Sequence, residues 1–363
     1  MAAPRYHIVV LSGDGVGPEV VAEAIRVGDA AGALFGFELE WNRQLVGGIA
    51  VDETGSPLPE RSLSACLAAD AVLLGAVGGP TYDSLPTEKR PERGLLRLRK
   101  ALGTFVNLRP VKVPHSLAIR SPLRSGLVSG LDLLVVRELT GGIYFGTPSE
   151  RVGDRAIDTM AYSTQEVARV ARVAFDWAQK RRGNVVSVDK ANVLETSRLW
   201  RETVQQVHDT DYADIELSHQ YVDNAAMQMV SNPRQFDVIL TTNMFGDILS
   251  DLGAALAGSL GMLPSASVGG STGIFEPVHG SAPDIAGTGK VNPLATILSL
   301  SMLFIDLGEL EAAQAIERAV EEVLEAGIRT SDILDEGCTE VTTEVMGQRV
   351  AARLSTPVGV AQN

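Results

Sequence analysis

Cysteine is scarce. Cys66 and Cys338 are the two in 363 residues, and they lie too far apart for a disulfide framework or a zinc spacing. Long apolar runs are missing too. The longest apolar helix candidate, Pro293 to Phe304, is too short to span a bilayer and carries Thr and Ser, so it is expected to be buried and no membrane partner is expected. Positive charge is the minority sign, with 31 Lys and Arg against 45 Asp and Glu for a net charge of −14, which argues against nucleic acid and anionic membranes as partners. Internal repeats, low-complexity tracts and linker runs are also lacking. The chain enters a strand by Tyr6, so no signal or transit peptide is expected and the cytoplasm is the expected location. What remains is an ordinary globular composition, 45% apolar and 21% charged, at a length that suggests about two domains.

The stretch Thr241-Thr-Asn-Met-Phe-Gly-Asp-Ile-Leu-Ser-Asp251 is the most informative. Phe236 to Leu240 reads as a buried strand. Gly246 reads as its break, and from Asp247 the residues Ile248, Leu252, Ala255 and Leu256 recur at helical spacing as an inward stripe. Asp247 and Asp251 then share the neighbouring face one turn apart, where like charges repel unless a cation lies between them. An Asp-x-x-x-Asp alone is more simply a helix cap and a solvated carboxylate. As a functional pair it suits a hard divalent cation, Mg²⁺ or Mn²⁺.

Elsewhere strands alternate with helices, which predicts an α/β fold with a mainly parallel sheet. Gly13-Asp-Gly-Val-Gly17 followed by Pro18 is a tight strand-to-helix turn near a ligand; its glycine spacing fits neither a Rossmann fingerprint nor a P-loop. Lys89, Arg90, Arg93, Arg97, Arg99, Lys100 and Arg109 crowd one part of an acidic chain, as at a small-anion site, although Arg90, Arg93, Arg97 and Lys100 are expected on a solvated face. In the helix after Pro91, Glu92, Leu95, Leu96 and Arg99 fall in one arc beside a core stripe of Leu98 and Leu102, a mixture that fits a pocket wall or a solvent-facing edge. Arg137 to Gly146 combines Arg and Tyr with glycines, where backbone and ligand can approach closely. Lys190 ends an apolar strand and becomes a usable base if desolvated. Gly258 to Gly273 is rich in Gly, Ser and Pro, and Phe275 to Gly287 shows no regular period, so a long functional loop is expected there.

Five stretches carry a family resemblance: Gly13 to Glu19, Arg137 to Gly146, Asp189 to Val193, Asn243 to Asp251 and Glu276 to Gly287. In this order they resemble the NAD(P)-dependent β-hydroxyacid oxidative decarboxylases, the isocitrate/isopropylmalate dehydrogenase family. The resemblance implies a non-Rossmann α/β fold of two domains with an active cleft between them. It assigns residues 1–104 and 258–363 to a large domain that carries the adenosine loop and substrate helix. Residues 105–257 become a small domain that dimerises and carries metal and catalytic residues. It also implies a homodimer with shared active sites, in which Lys190 and Asp223 reach the neighbouring subunit's site.

By the same resemblance Lys190 is the base and Tyr144 the proton donor, while Asp223, Asp247 and Asp251 hold Mg²⁺ or Mn²⁺. Arg99, Arg109 and Arg137, with Asp223, bind the malate core of the substrate. Cofactor contacts fall to Gly78, Asn192, Glu276, His279, Gly280, Ser281, Ala282, Asp284, Ile285 and Asn292. The expected cofactor is NAD, with K⁺ as a further cation, because Asp284 and Ile285 replace the residues that hold a 2′-phosphate in NADP-dependent members. Leu95 and Leu96 favour an apolar branch and Glu92 would repel a third carboxylate, so 3-isopropylmalate is expected ahead of isocitrate, homoisocitrate or tartrate. A silent anion- or nucleotide-binding module would be the reading if Lys190 or Tyr144 were missing.

Overall fold

The structure, a computed structural model, describes residues 3–355. Within that range the chain folds as two compact units, one from residues 3–103, 259–266 and 270–355, the other from 104–258 and 267–269. Among the described residues no helix is long and apolar enough to cross a membrane.

In the first unit, four strands lie in the order Glu38–Arg43, Arg5–Gly13, Ala71–Ala76, Gly273–Pro277, every neighbouring pair parallel. Ala71–Ala76 is buried at all six positions, as a parallel strand covered on both faces must be. One cover is the helix Pro91–Leu102, whose Leu98 and Leu102 join Val9, Leu11, Val72 and Leu74 in a core against which Leu95 also packs. The helices Gly17–Phe35, Leu294–Asp306, Leu310–Glu325 and Thr343–Ala351 pack on one another. Leu294–Asp306 is the expected buried apolar helix.

In the second unit the order is Val106–Val113, Leu131–Glu138, Val238–Thr241, Asn184–Asp189, Glu216–Tyr221. The first pair is antiparallel and the rest are parallel. The helix Thr164–Gln179 opens on a capping box between Ser163 and Glu166, and Glu195–Asp211, Val222–Ser231 and Asn243–Ala257 follow their strands. Ser149–Val152 and Arg155–Asp158 form a separate hairpin with every residue exposed.

Two expectations need correction. The Gly/Ser/Pro-rich stretch is not one structureless loop: Pro264–Val268 and Gly273–Pro277 are strands, and small buried residues had hidden the alternation. The acidic helix starts at Asn243, so Gly246 lies inside it and Asp247 is not its cap. Its inward stripe is Phe245, Leu249, Ala254 and Leu256, interleaved with Gly246 and Gly253, while Ile248 and Ala255 face outward. The helix is apolar on two sides, and the small residues win the inner one because they let it lie close to the sheet. A Cβ on Gly246 would come within 2.6 Å of the Arg137 side chain, and one on Gly253 within 2.6 Å of Val111.

Candidate active site

Each cluster is built where strands end. Leu131–Glu138 delivers Arg137, buried to 3% exposure, which lies against the first turns of the acidic helix. Its Nη1 donates to Asp247 Oδ1 at 2.6 Å, and its Nε and Nη2 both donate to Asn243 Oδ1 at 3.1 and 2.7 Å. Arg109, from the antiparallel neighbour strand, donates through Nε to Asn107 Oδ1 at 2.7 Å and through Nη1 to Ser250 Oγ at 2.7 Å. Its Nη1 is also 3.4 Å from Asp247 and 3.6 Å from Asp251. The two carboxylates are thus bracketed by two guanidiniums whose own positions are fixed by hydrogen bonds. Burial pushes the Asp251 carboxyl up from its ordinary value, with Arg109 pulling the other way.

Tyr144, in the short helical turn Gly142–Tyr144, donates from its hydroxyl to Asp247 Oδ2 at 3.0 Å, and the Arg137 guanidinium lies 5.8 Å from its ring centre. Burial, then the charge of Asp247, raises the phenol above its ordinary value. A neutral phenol beside two carboxylates can act as a proton donor.

Lys190 and Asp223 stand in a second cluster. Lys190 follows the strand Asn184–Asp189, its backbone N–H donating to Ser197 Oγ at 3.1 Å, and its ammonium pairs with the exposed Asp223 in the first turn of Val222–Ser231. Lys190 holds the Asp223 carboxyl below its ordinary value. Among the described residues, no three acidic, histidine or cysteine side chains gather as a metal cluster, so Asp223 does not join Asp247 and Asp251 within one chain. Asn192 lies exposed in the turn between Lys190 and the next helix.

The remaining expected contacts lie in the first unit. His279 is largely buried. Its Nδ1 lies 2.9 Å from Gly280 O, its Nε2 is buried with no partner among the described residues, and burial lowers its pKa, so the imidazole is neutral. Ser281, buried, accepts Val16 N–H at 2.8 Å, and Ala282 takes the left-handed conformation at φ 38°, a strain that marks a specified loop. Asp284 and Ile285 are exposed in the turn Pro283–Ile285, which has no side-chain cap, so Asp284 is not a capping residue. Asn292 is buried, accepting Leu294 N–H at 3.0 Å and donating to Asp332 at 3.1 Å. Gly280 is exposed, and a Cβ on it would meet nothing within 4 Å. Glu276 pairs with Arg99 at 2.7 Å, both buried. Glu92 is exposed beside Gly78, which has φ 99° and where a Cβ would come within 2.6 Å of Glu92 Oε1; Leu95 and Leu96 are half-buried on the same helix.

Sequence reasoning missed the residues that hold these loops. Asp14 accepts backbone N–H groups of Gly48, Ile49 and Gly78 at 2.7–2.8 Å, and Glu19 accepts those of Gly287 and Gly289 in the loop that follows His279. Both acids lie inside the glycine-rich motif, so the signal was present. A Cβ on Gly15, at φ 55°, would come within 2.0 Å of Ser281 O, and the close approach explains that glycine.

The sequence pattern described as "Isocitrate/isopropylmalate dehydrogenase" matches residues 7–350. The chain belongs to this family. It is similar to the 3-isopropylmalate dehydrogenase of Salinibacter ruber, 58% identical over 353 residues that cover 97% of this chain and 96% of the relative. The 3-isopropylmalate dehydrogenase of Wolinella succinogenes is 55% identical over 96% of this chain and 97% of its own length. Among solved structures, the isocitrate dehydrogenase of Methylococcus capsulatus superposes with a TM-score of 0.85 at 35% identity, covering 96% of this chain and 99% of that one. The isocitrate/isopropylmalate dehydrogenase fold is therefore the fold of this chain, α/β as the sequence predicts.

Proposed function

We propose that this chain catalyses the NAD-dependent oxidative decarboxylation of 3-isopropylmalate to 4-methyl-2-oxopentanoate and CO₂, a step of leucine biosynthesis. The observation that carries the reading is the cluster of Asp247 and Asp251 bracketed by Arg109 and Arg137, with Tyr144 bonded to Asp247. It supplies hard oxygen donors, carboxylate-binding guanidiniums and a neutral proton donor together. Relatives 58% and 55% identical over nearly the whole chain bear the matching name.

Asp247 and Asp251, one turn apart, suit Mg²⁺ or Mn²⁺, and Asp223 of the partner subunit would complete the set. A cation held there would supply Lewis-acid polarisation of a substrate oxygen and offset the negative charge that develops on loss of CO₂. Arg109 and Arg137 hold carboxylates of the malate core with planar, bidentate donors, and Arg99 is assigned the same chemistry. Lys190 of the partner subunit takes the hydroxyl proton, directly or through a water, and Tyr144 returns a proton to the enolate carbon. The homodimer this requires is supported by outward-facing apolar side chains on two helices that pack together: Met227 and Val230 on Val222–Ser231, and Ile248 on Asn243–Ala257.

NAD supplies the hydride acceptor. The orphaned Nε2 of His279, the buried Ser281 and the strained backbone at the exposed Ala282 fit a cofactor that lies against this loop. Asp284 would accept from ribose hydroxyls and repel a 2′-phosphate by like charge. K⁺ is proposed as a further cation. The test is NADH formation with Mg²⁺ and either 3-isopropylmalate or isocitrate. Turnover with the first and little with the second is expected; none with either, or a preference for isocitrate, contradicts the reading.

A further inference from the structure

Behind Arg137 lies a buried polar chain to which the reaction as proposed gives no part. Glu138, next along the strand, points to the opposite face and has 0% exposure. Its carboxyl accepts Thr140 N–H at 2.8 Å, the Thr140 hydroxyl at 3.2 Å and Gly141 N–H at 2.9 and 3.0 Å; Arg169 lies 3.9 Å away. The Tyr162 hydroxyl accepts Asn243 N–H at 3.0 Å, and the Tyr162 ring and the Glu138 carboxylate both line the space beside Gly141 Cα. Asn243 Nδ2 donates to the carbonyls of Leu139 at 3.0 Å and Gly141 at 3.1 Å. With both amide hydrogens committed to carbonyls, Oδ1 is the atom left to face Arg137, where it accepts from Nε and Nη2.

We propose that Glu138, Tyr162 and Asn243 are positioning residues that fix the Arg137 guanidinium for a substrate carboxylate. This rests on the reading of Arg137 as a carboxylate clamp. Two routes converge on the first residue of the acidic helix, one from the buried carboxyl through the Gly141 backbone to the Asn243 side-chain amide and one from the phenol to the Asn243 N–H, and that side chain holds one edge of the guanidinium. That edge is held by a neutral amide, while Nη1 faces Asp247 at 2.6 Å. The helix that carries Asp247 is anchored at the same residue, so Arg137 and Asp247 are set relative to each other by one network. An aliphatic side chain at any of the three positions would leave buried donors or acceptors unpaired.

Tyr162→Phe tests this, because it removes the acceptor of the Asn243 N–H and leaves the ring on Trp200 in its edge-on packing. The expected result is a rise of about tenfold in KM for 3-isopropylmalate, the scale of one lost hydrogen bond to a network that ends in a charge, with KM for NAD unchanged within about twofold. Combining Tyr162→Phe with Arg137→Lys should add little to the effect of Arg137→Lys alone, since both act on one contact. If both KM values rise together, or the two effects multiply, the residues are merely structural and the proposal falls. Should Tyr162→Phe not fold, Glu138→Gln carries the same comparison. Arg137→Lys alone separates the two readings: if it leaves KM for 3-isopropylmalate unchanged, the clamp itself is wrong, whatever Tyr162→Phe does.

Discussion

The two polar clusters of the second unit are built in opposite ways. Around Asp247 and Asp251, the arginines are almost fully buried and their donors go to Asn107, Asn243, Ser250 and the carboxylates. Around Lys190 and Asp223, the ammonium is partly open, the carboxylate is exposed, and the two groups pair with each other. The first arrangement is preorganised and complete as far as one chain can make it. The second is a partly open ion pair whose two charges balance each other. Under the proposed function, the base and the third carboxylate come from a second copy of the second cluster; among the described residues of one chain no three-carboxylate set gathers.

The comparison breaks hardest at Lys190. Lys190→Met keeps an apolar stem of similar length, so the circular dichroism spectrum and unfolding temperature should stay close to those of the parent while turnover falls by about a thousandfold, the scale of a lost general base. Retained turnover would move the base elsewhere. Asp251→Asn should follow, with activity down by about tenfold or more and a higher Mg²⁺ concentration needed for half-maximal rate, because the site loses one formal charge. An unchanged metal requirement would return Asp251 to the status of a helix-face residue.

Smaller effects sharpen the account. Glu92→Ser should raise isocitrate turnover relative to 3-isopropylmalate, and the two leucines should contribute roughly 1.5–3 kcal/mol to the native preference by apolar transfer. A constant ratio would mean that this helix does not read the branch. Asp284→Lys with Ile285→Tyr should move kcat/KM toward NADP. The smallest effect is on stability. Lys190 lowers the Asp223 pKa, so the pair's contribution is present above the ordinary carboxylate value and is lost as pH falls through the depressed one. With Asp223 exposed, Asp223→Asn should scarcely shift the unfolding temperature at pH 7 and not at all at pH 2, although it should impair turnover.

Much of this was legible in the chain. The acidic pair, the strand-end lysine and the Arg/Tyr loop are local patterns, and each structural element places its residues by a fixed period. The phase of the acidic helix was not legible, because Ile248, Leu252 and Ala255 repeat as well as Leu249 and Leu256 do; only the tertiary fit of Gly246 and Gly253 decides between them. The strand Pro264–Val268 was hidden because Ser and Ala in a doubly covered strand give no alternation. The bonds that tie Glu138 and Tyr162 to Asn243 join residues far apart in sequence, and no spacing rule connects them.

The claim that the two clusters meet only across subunits is tested most directly by complementation. Lys190→Met and Tyr144→Phe chains, each nearly inactive alone, are co-expressed or refolded together in equal amounts and assayed for NADH formation. In a two-fold symmetric dimer with shared sites, half the dimers are mixed and each mixed dimer has one intact site, so activity should recover to about a quarter of the parent's. No recovery on mixing, with mixed dimers shown to form, would place Lys190 and Tyr144 in the same chain's site and contradict the account.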